Sequence, residues 1–345
     1  MLIGLDALMN RFATAFERGR VAGSYLFVGP PGVGKAGFAK WLAKLAFCQK
    51  TRCDEHGCRH PCGECVHCVQ VDAGSHPDLT QVRKPEGKTQ IPLDLLIGPV
   101  GARMSEGFCH EIHLRPMQAT RKVAILHDAD ALNEEGANCL LKTLEEPPTG
   151  VIIILIGVSE QRQLPTIRSR CRTVRFPIPA GETAIRLLRS RLAADDNMES
   201  EQIPDDDALL LAVEVAAGDM QVAQRLVSGQ SESLRGALQP LLSDRCPDPI
   251  KVAKVINQHV KSAGDIAEKK RNAIRDCMTV ALQTFRRQLR QQAAQGALDE
   301  PTRIRLDRTL RAFREVDRSA NPTTLIECYA ADLAIVKTGD RGGIG

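Results

Sequence analysis

Aromatic residues are scarce in this chain. Phe, Trp and Tyr together make up 3% of the 345 residues. So few aromatic rings argue against a stacking platform for single-stranded nucleic acid, because such platforms place one base on each ring. The interior must instead be built from Leu, Ile, Val and Ala, the residues of helix bundles and parallel sheets.

The sequence also lacks a long apolar run and a large excess of charge. No stretch of about 18 apolar residues exists, and the first twenty residues carry Asp6 and Glu17, which a secretory signal would not contain. Lys and Arg number 46 against 42 Asp and Glu, so any basic surface must be local. We therefore expect a soluble, cytoplasmic protein of two or three domains with no membrane partner.

Cysteine is plentiful and clustered. Six of the twelve cysteines lie in the segment Cys48 to Cys68, and in a reducing compartment such clustering indicates metal ligation rather than disulfides. Four thiolates complete a closed, structural zinc site. The predicted Zn²⁺ ligands are Cys53, Cys62, Cys65 and Cys68. The first ligand is left open, since Cys48 or Cys58 could replace Cys53, and His56, His60 or His67 fits less well.

Three apolar runs without polar alternation predict an α/β domain. They are Tyr25–Val28, Val123–Leu126 and Val151–Ile156, and such runs are typical of parallel strands covered on both faces. An apolar stripe at helical spacing between the second and third runs predicts a helix that ends before Pro147. The α/β domain is predicted over residues 1–178, with the zinc-binding insertion at about 48–76.

Strand-like runs are absent beyond residue 178, and amphipathic helical patterns replace them. We predict a small helical lid domain over residues 179–240 and an all-helical domain over residues 241–338. Residues 339–345 are predicted to form a disordered tail.

A phosphate-binding loop follows the first predicted strand. The segment Gly29-Pro30-Pro31-Gly32-Val33-Gly34-Lys35 has the glycine-rich pattern in which backbone N–H groups and a lysine hold phosphates. The residue after the lysine is normally Ser or Thr, whose hydroxyl ligates Mg²⁺, but here it is Ala36. The predicted nucleotide-binding residues of this degenerate loop are Gly29, Gly32, Gly34, Lys35 and Ala36.

The acidic half of an ATPase site is incomplete as well. An Asp for the metal and a Glu for the attacking water should follow the second strand, but the sequence there is His127-Asp128-Ala129. Either His127 replaces the Asp and Asp128 the Glu, or Asp128 holds metal and Ala129 replaces the Glu. Both alignments predict an ATPase fold without ATP hydrolysis. Binding of ATP or ADP is left open.

Two further motifs carry a family resemblance. Residues 138–148 read NCLLKTLEEPP, and residues 169–171 read SRC. Together with the phosphate loop and the cysteine insertion, they make the chain similar to the bacterial DNA polymerase III clamp-loader subunits of the AAA+ class, gamma/tau and delta-prime. Residues 321–325 resemble the last collar helices of that family, and Gln221 stands where its ATPase subunits carry a sensor arginine.

The resemblance implies a RecA-like AAA+ domain, a lid and a collar. It aligns His127 with the metal Asp, and the losses at Ala36, His127 and Gln221 favour the delta-prime type, a stator in DNA replication that does not hydrolyse ATP. The family pattern makes Arg170 an arginine finger for ATP bound by a neighbouring subunit. The residues alone would instead favour a solvated basic edge or a phosphate-contacting patch formed by Arg168, Arg170 and Arg172.

The implied partners are gamma/tau ATPase subunits, the delta subunit, the sliding clamp and primed DNA. Two alternatives are an ATP-hydrolysing subunit of the gamma/tau type and an independent zinc-containing, DNA-binding AAA+ protein.

Overall fold

Two compact units make up the chain, an N-terminal unit of residues 1–223 and a C-terminal unit of residues 224–345. The computed structural model describes residues 2–53, 59–194, 206–216, 218–227, 232–264, 267–294, 296, 299–316 and 321–335. No helix in these ranges is both long enough and apolar enough to cross a bilayer.

A five-stranded parallel sheet is the centre of the N-terminal unit. Its strands, in spatial order, are β4 (Leu79–Val82), β5 (Lys122–Leu126), β6 (Val151–Ile156), β1 (Ser24–Val28) and β7 (Arg172–Arg175). All four pairings are parallel. The three predicted apolar runs form β1, β5 and β6, each buried along its whole length, so the α/β prediction is confirmed. The lateral strands β4 and β7 were not predicted, because they mix polar with apolar residues, are only partly buried and give no continuous apolar run.

Helices flank this sheet in the N-terminal unit, and the last of them continues past residue 223. They are α1 (Asp6–Glu17), α2 (Lys35–Phe47), α3 (Val66–Ala73), α4 (Leu93–Ile97), α5 (Phe108–His113), α6 (Glu134–Glu145), α7 (Pro165–Arg168), α8 (Gly181–Leu192), α9 (Asp206–Val215) and α10 (Met220–Val227). A short hairpin, β2 (Arg52–Cys53) with β3 (Arg59–His60), follows α2. Helix α6 is the predicted helix, and it begins where the Asn133 side chain accepts a hydrogen bond from Gly136 N at 2.8 Å.

A cluster of aromatic residues lies on one face of the sheet. Phe27 lies between Phe12, Phe38 and Phe176, with ring centroids 5.3 to 6.1 Å apart. The next residue on β1 in each direction, Leu26 or Val28, belongs to an aliphatic core on the opposite face. Because side chains alternate along a strand, β1 contributes to a different core on each face of the sheet. The aromatic core lies under the phosphate loop.

The C-terminal unit is helical throughout its described residues. After the end of α10 it contains α11 (Glu232–Ser243), α12 (Pro249–Ser262), α13 (Ala267–Ala294), α14 (Glu300–Glu315) and α15 (Pro322–Ile335). Leu234, Leu238 and Leu242 of α11 belong to its core. The chain therefore divides compactly near residue 223, whereas the sequence patterns predict lid and collar boundaries at 179–240 and 241–338. Those finer boundaries stay a prediction, and the predicted tail at 339–345 lies outside the described residues.

Buried Asp78 fastens the loop that leads into β5. Its two carboxylate oxygens accept hydrogen bonds from the backbone N–H groups of Met117, Gln118 and Ala119 at 2.5 to 2.8 Å. Burial by itself would raise the pKa of Asp78, but these backbone donors lower the pKa below its ordinary value. The ionised carboxylate is therefore the form that stabilises the fold.

Replacing Asp78 by asparagine should lower the free energy of unfolding by about 1–3 kcal/mol at pH 7, because an amide oxygen cannot accept all three hydrogen bonds. Since the folded-state pKa is lowered, the stabilisation is complete above the unfolded pKa of about 3.9 and is lost as the pH falls through the folded value. The difference between the two proteins should therefore shrink below about pH 4. Urea unfolding followed by the fluorescence of Trp41, the single tryptophan, measures this in the N-terminal unit.

Glu86→Gln is a suitable control, since Glu86 is an exposed acid of the same unit. A loss at Asp78 no larger than at Glu86, or a loss independent of pH, would contradict the assignment.

Candidate functional site

The phosphate loop joins β1 to α2 and turns through three glycines with positive φ. Gly34 adopts the left-handed conformation immediately before Lys35, the first residue of α2. A Cβ atom on Gly32 would lie 2.7 Å from Met220 Cβ and 3.0 Å from Gln221 N, so no side chain fits there. Glycine is needed here because the start of α10 packs directly on the loop.

The loop's lysine is held by the loop itself. Lys35 Nζ donates hydrogen bonds to Gly29 O at 2.5 Å and to Pro30 O at 2.6 Å, and only 8% of the residue is exposed. Burial lowers the pKa of Lys35 to about 8, although Asp130 and Asp219 act in the opposite direction. Phosphate binding would require this ammonium to exchange its carbonyl partners.

The lid segment contacts the same loop through backbone and side chain. Met220 N donates to Pro31 O at 3.0 Å, and Arg191 Nη1 of α8 donates to Gly32 O at 3.2 Å. Gln221, which the family resemblance aligns with a sensor arginine, lies in the first turn of α10, where Asp219 accepts hydrogen bonds from the backbone N–H groups of residues 221 and 222. Sequence reasoning missed Arg191, because a basic residue in an amphipathic helix gives no sign of a distant backbone partner.

An apolar cavity of about 200 Å³ adjoins the phosphate loop. Its lining residues are Ile3, Gly4, Leu5, Val33, Pro177, Ile178, Pro179, Ala180 and Thr183. Such walls suit a flat, largely apolar ring. The cavity lies beside the loop, whose lysine is bonded to the loop's own carbonyls.

A buried imidazole lies at the position that the family resemblance aligns with a magnesium-binding acid. His127 directly follows β5, is 7% exposed, and has Gln81 Oε1 3.2 Å from Nε2 and Arg83 Nη2 3.5 Å from Nδ1. Burial, helped by the Arg83 charge, lowers the pKa of His127 to about 4. The ring is therefore neutral at pH 7 and lies beside a cation, which is an unfavourable place for Mg²⁺, a hard ion that prefers carboxylates.

The two acids after His127 are arranged differently from each other. Asp128 is exposed and has a φ of 55°, the left-handed region that aspartate tolerates better than most residues. Asp130 accepts hydrogen bonds from Val158 N at 2.7 Å and from Gln163 Nε2 at 2.6 Å. These bonds use Asp130 to join the end of β6 to the loop after β5.

The sulfur atoms of four cysteines lie within 4.8 Å of one another. They belong to Cys48, Cys62, Cys65 and Cys68. Tetrahedral zinc with Zn–S bonds of about 2.3 Å separates its sulfurs by about 3.8 Å, and the Cys48 and Cys65 sulfurs are 3.9 Å apart. Cys62 N donates to Cys48 Sγ, and Cys65 N to Cys62 Sγ, both at 3.3 Å. The donor set and its spacing fit a zinc ion.

Cys53 does not belong to this group, so the predicted ligand set is corrected at its first member. Cys53 is exposed on β2, whereas Cys48 directly follows α2 in an extended conformation. The end of α2 thus brings Cys48 to the Cys-x2-Cys turn, while the hairpin carries Cys53 away from it. Cys58 and His56 lie outside the described residues, and His67 instead contacts His76, with 2.9 Å between Nδ1 and Nε2.

Local backbone donors favour the thiolate at one of these positions. The N–H groups of Glu64 and Cys65 lower the pKa of Cys62 to about 6. A thiolate is the form that binds a metal.

Arg170 lies just after α7 and is held on several sides. Its Nε donates to Glu145 Oε1 at 2.5 Å, and Nη2 pairs with the same oxygen. Nη1 donates to Thr166 O at 3.0 Å and to Ser169 Oγ at 3.2 Å. The side chain is 28% exposed, whereas the flanking Arg168 and Arg172 are more fully exposed to solvent.

Glu145 was not singled out as a site residue by sequence reasoning. It is the last residue of α6, 25 positions before Arg170. Its place inside the NCLLKTLEEPP motif is the one signal that could have drawn attention to it.

Three of the known proteins to which the chain is similar are described here. A DNA polymerase III subunit delta' from Pseudomonas aeruginosa is 32% identical over 212 residues, which cover 61% of this chain and 57% of that protein. A DNA polymerase III subunit gamma/tau from Mycobacterium tuberculosis is 26% identical over 250 residues, covering 67% of this chain and 37% of that protein. A solved structure, a DNA polymerase III gamma subunit-related protein from Thermotoga maritima, has 17% identity and a TM-score of 0.38, covering 94% of this chain and 99% of its own.

The chain spans less than two thirds of the length of both curated relatives. The family described as "DNA polymerase III, delta subunit" matches residues 4–180. That range is just over half of the chain and includes the phosphate loop, the thiol cluster and Arg170. The chain therefore belongs to the DNA polymerase III delta-subunit family, in which the Pseudomonas delta' subunit is one of its relatives.

Proposed function

We propose that this chain is a delta'-type subunit of the bacterial clamp loader, a stator that does not itself hydrolyse ATP. In this role it helps gamma/tau-type and delta subunits to load the sliding clamp onto primed DNA. The observation that carries the proposal is the contrast between its two polar centres. Its own nucleotide pocket has a neutral imidazole where magnesium chemistry needs a carboxylate, while Arg170 is ordered and partly exposed.

Loss of hydrolysis follows from the groups around the phosphate loop. ATP hydrolysis by this class of site uses a hydroxyl and a carboxylate to hold Mg²⁺ against the terminal phosphates. Ala36 supplies a methyl group, and His127 supplies an uncharged ring beside Arg83. Both metal contacts are therefore missing, and the attacking water would lack a magnesium-bound phosphate to attack.

The purified chain should release phosphate from ATP no faster than its Lys35→Ala variant, because the lysine of a site without bound magnesium has no transition state to stabilise. A malachite-green or coupled-enzyme assay at saturating ATP and Mg²⁺ measures this. Turnover of about 1 s⁻¹ or more that disappears in Lys35→Ala would contradict the stator role and favour a gamma/tau-type ATPase.

Arg170 supports a function in a neighbour's ATP site. A guanidinium placed against a γ-phosphate stabilises the charge that develops in phosphoryl transfer, and a finger supplied in trans is worth about 10³–10⁵ in rate. Arg170 is the arginine of the SRC segment. Its guanidinium is held by the Glu145 carboxylate, the Thr166 carbonyl and the Ser169 hydroxyl. Flanking arginines on a merely solvated edge would not need such fixation.

In a clamp loader reconstituted with gamma/tau-type and delta subunits of the same organism, Arg170→Ala should slow hydrolysis at one ATP site by about 10³-fold. Pre-steady-state phosphate release in the presence of clamp and primed DNA should then show one slow site among those that remain fast. Arg168→Ala is the matched control and should leave every site fast. Unchanged kinetics in Arg170→Ala would remove the finger assignment.

We also propose that Cys48, Cys62, Cys65 and Cys68 bind one structural Zn²⁺. Four thiolates leave no open coordination position, so the ion would stabilise the insertion rather than catalyse a reaction. It would join the carboxyl end of α2 to the loop before α3. The ion would thus stabilise the cysteine-containing segment after α2, whose described residues form no large apolar core of their own.

Cys48→Ser should abolish zinc binding, whereas Cys53→Ser should retain about one zinc per chain, because the Cys53 sulfur lies outside the cluster. Elemental analysis of protein purified without chelators measures the content. Retention of zinc in Cys48→Ser together with its loss in Cys53→Ser would reverse the assignment.

The helical C-terminal unit would serve as the collar through which the subunits associate. Its described helices share one apolar core that includes residues from α11 to α15. A body of this kind can hold partner subunits while the N-terminal unit carries the nucleotide-site residues.

A further inference from the structure

We propose that Glu145 is the positioning residue of the arginine finger. This inference rests on the proposed function of Arg170 and assigns a role to a residue of α6 that does not touch nucleotide. One carboxylate oxygen, Oε1, accepts from both Nε and Nη2 of Arg170. Glu145 thereby selects one rotamer of a side chain that would otherwise sample many.

The hydrogen bonds of Arg170 leave a defined edge for a phosphate. A guanidinium has five N–H donors in a rigid plane. Nε and one Nη2 hydrogen face Glu145, while Nη1 has two acceptors, Thr166 O and Ser169 Oγ. The second Nη2 hydrogen lies outside these contacts. The plane is thus fixed on three sides, and a phosphate oxygen could be bound through the remaining direction without rebuilding the arrangement.

Both members of the pair stand on well-packed elements. Leu140 and Leu144 of α6 are buried in the aliphatic core, as is Ile167 of α7, which is 1% exposed. The backbone N–H groups of Arg170 and Cys171 both donate to Ile167 O, at 3.1 and 3.2 Å. A group held by elements of this rigidity keeps its position to the accuracy that catalysis requires.

The alternative is that the Glu145–Arg170 contact is a surface ion pair with no role in function. Such pairs contribute little to stability, because water screens the charges and fixing two long side chains costs entropy. The two readings differ in what happens when Arg170 is absent. A positioning residue acts only through the arginine, whereas a structural residue keeps its effect without it.

The test uses the reconstituted clamp loader and a double-mutant cycle. Glu145→Ala should slow the ATP site next to this chain by about 10- to 100-fold in kcat, since a small misplacement of a catalytic group has that effect, with KM unchanged. Glu145→Gln should restore most of the rate, because its amide oxygen still accepts a hydrogen bond. In the Arg170→Ala background, Glu145→Ala should have no additional effect.

Glu146→Ala is the matched control, as Glu146 is an exposed carboxylate at the next position. It should leave the rate unchanged. Assembly by size-exclusion chromatography and Trp41 fluorescence unfolding are measured for every variant.

The outcomes separate the two proposals. If Arg170→Ala leaves all sites fast, the finger itself is wrong. If Arg170→Ala slows one site but Glu145→Ala does not, or if Glu145→Ala adds a further loss in the double variant, the positioning role is wrong and the finger stands. Failure of Glu145→Ala or Glu145→Gln to fold or assemble, when Arg170→Ala does both, likewise overturns the positioning role.

Discussion

The parallel pairing of β1 with β6 and β7 is the constraint on which the other features depend. Parallel strands all end at the same edge of a sheet, so the loops that follow them converge there. Through the parallel pairings of β1 and β5 with β6, the phosphate loop after β1 and His127 after β5 lie at the same edge. Since both faces of the sheet are covered, its central strands β1, β5 and β6 are largely apolar, and the phosphate loop and His127 lie beyond their carboxyl ends.

At this edge the polar groups of the chain largely satisfy one another. Lys35 is bonded to the loop's carbonyls, Arg191 to Gly32 O and Asp130 to Val158 N. Buried polar groups are costly unless they are hydrogen-bonded, so these partners stabilise the loops at this edge. An active ATPase would keep some of those groups for magnesium and phosphate. Hydrogen bonds also fix Arg170, but they hold its guanidinium at a partly exposed position, where it can still meet a group from outside the chain.

Much of the candidate site could be predicted because its signals are local. The glycines and lysine of the phosphate loop are contiguous, and Ala36 is recognised at once as a missing hydroxyl. A cluster of four thiols was predicted, since three of its members follow a Cys-x2-Cys-x2-Cys spacing. Its fourth member was assigned to Cys53 instead of Cys48, because spacing along the chain does not reveal that a hairpin turns Cys53 away. Glu145 and Arg191 were missed for a related reason, since each meets its partner only across the tertiary structure.

The sequence by itself determined the doubly covered strands β1, β5 and β6, the helix α6, and the loss of the hydroxyl and the acid that magnesium requires. These features depend on which residues are present and on the spacing of apolar residues within a short segment. They can therefore be read from the segment itself, wherever it lies in the fold. Only the tertiary structure decided which sulfur joins the cluster, which carboxylate holds Arg170, and how burial beside Arg83 keeps His127 uncharged. Those outcomes depend on distances and on local polarity between residues far apart in the chain, and both come into existence only when the chain folds.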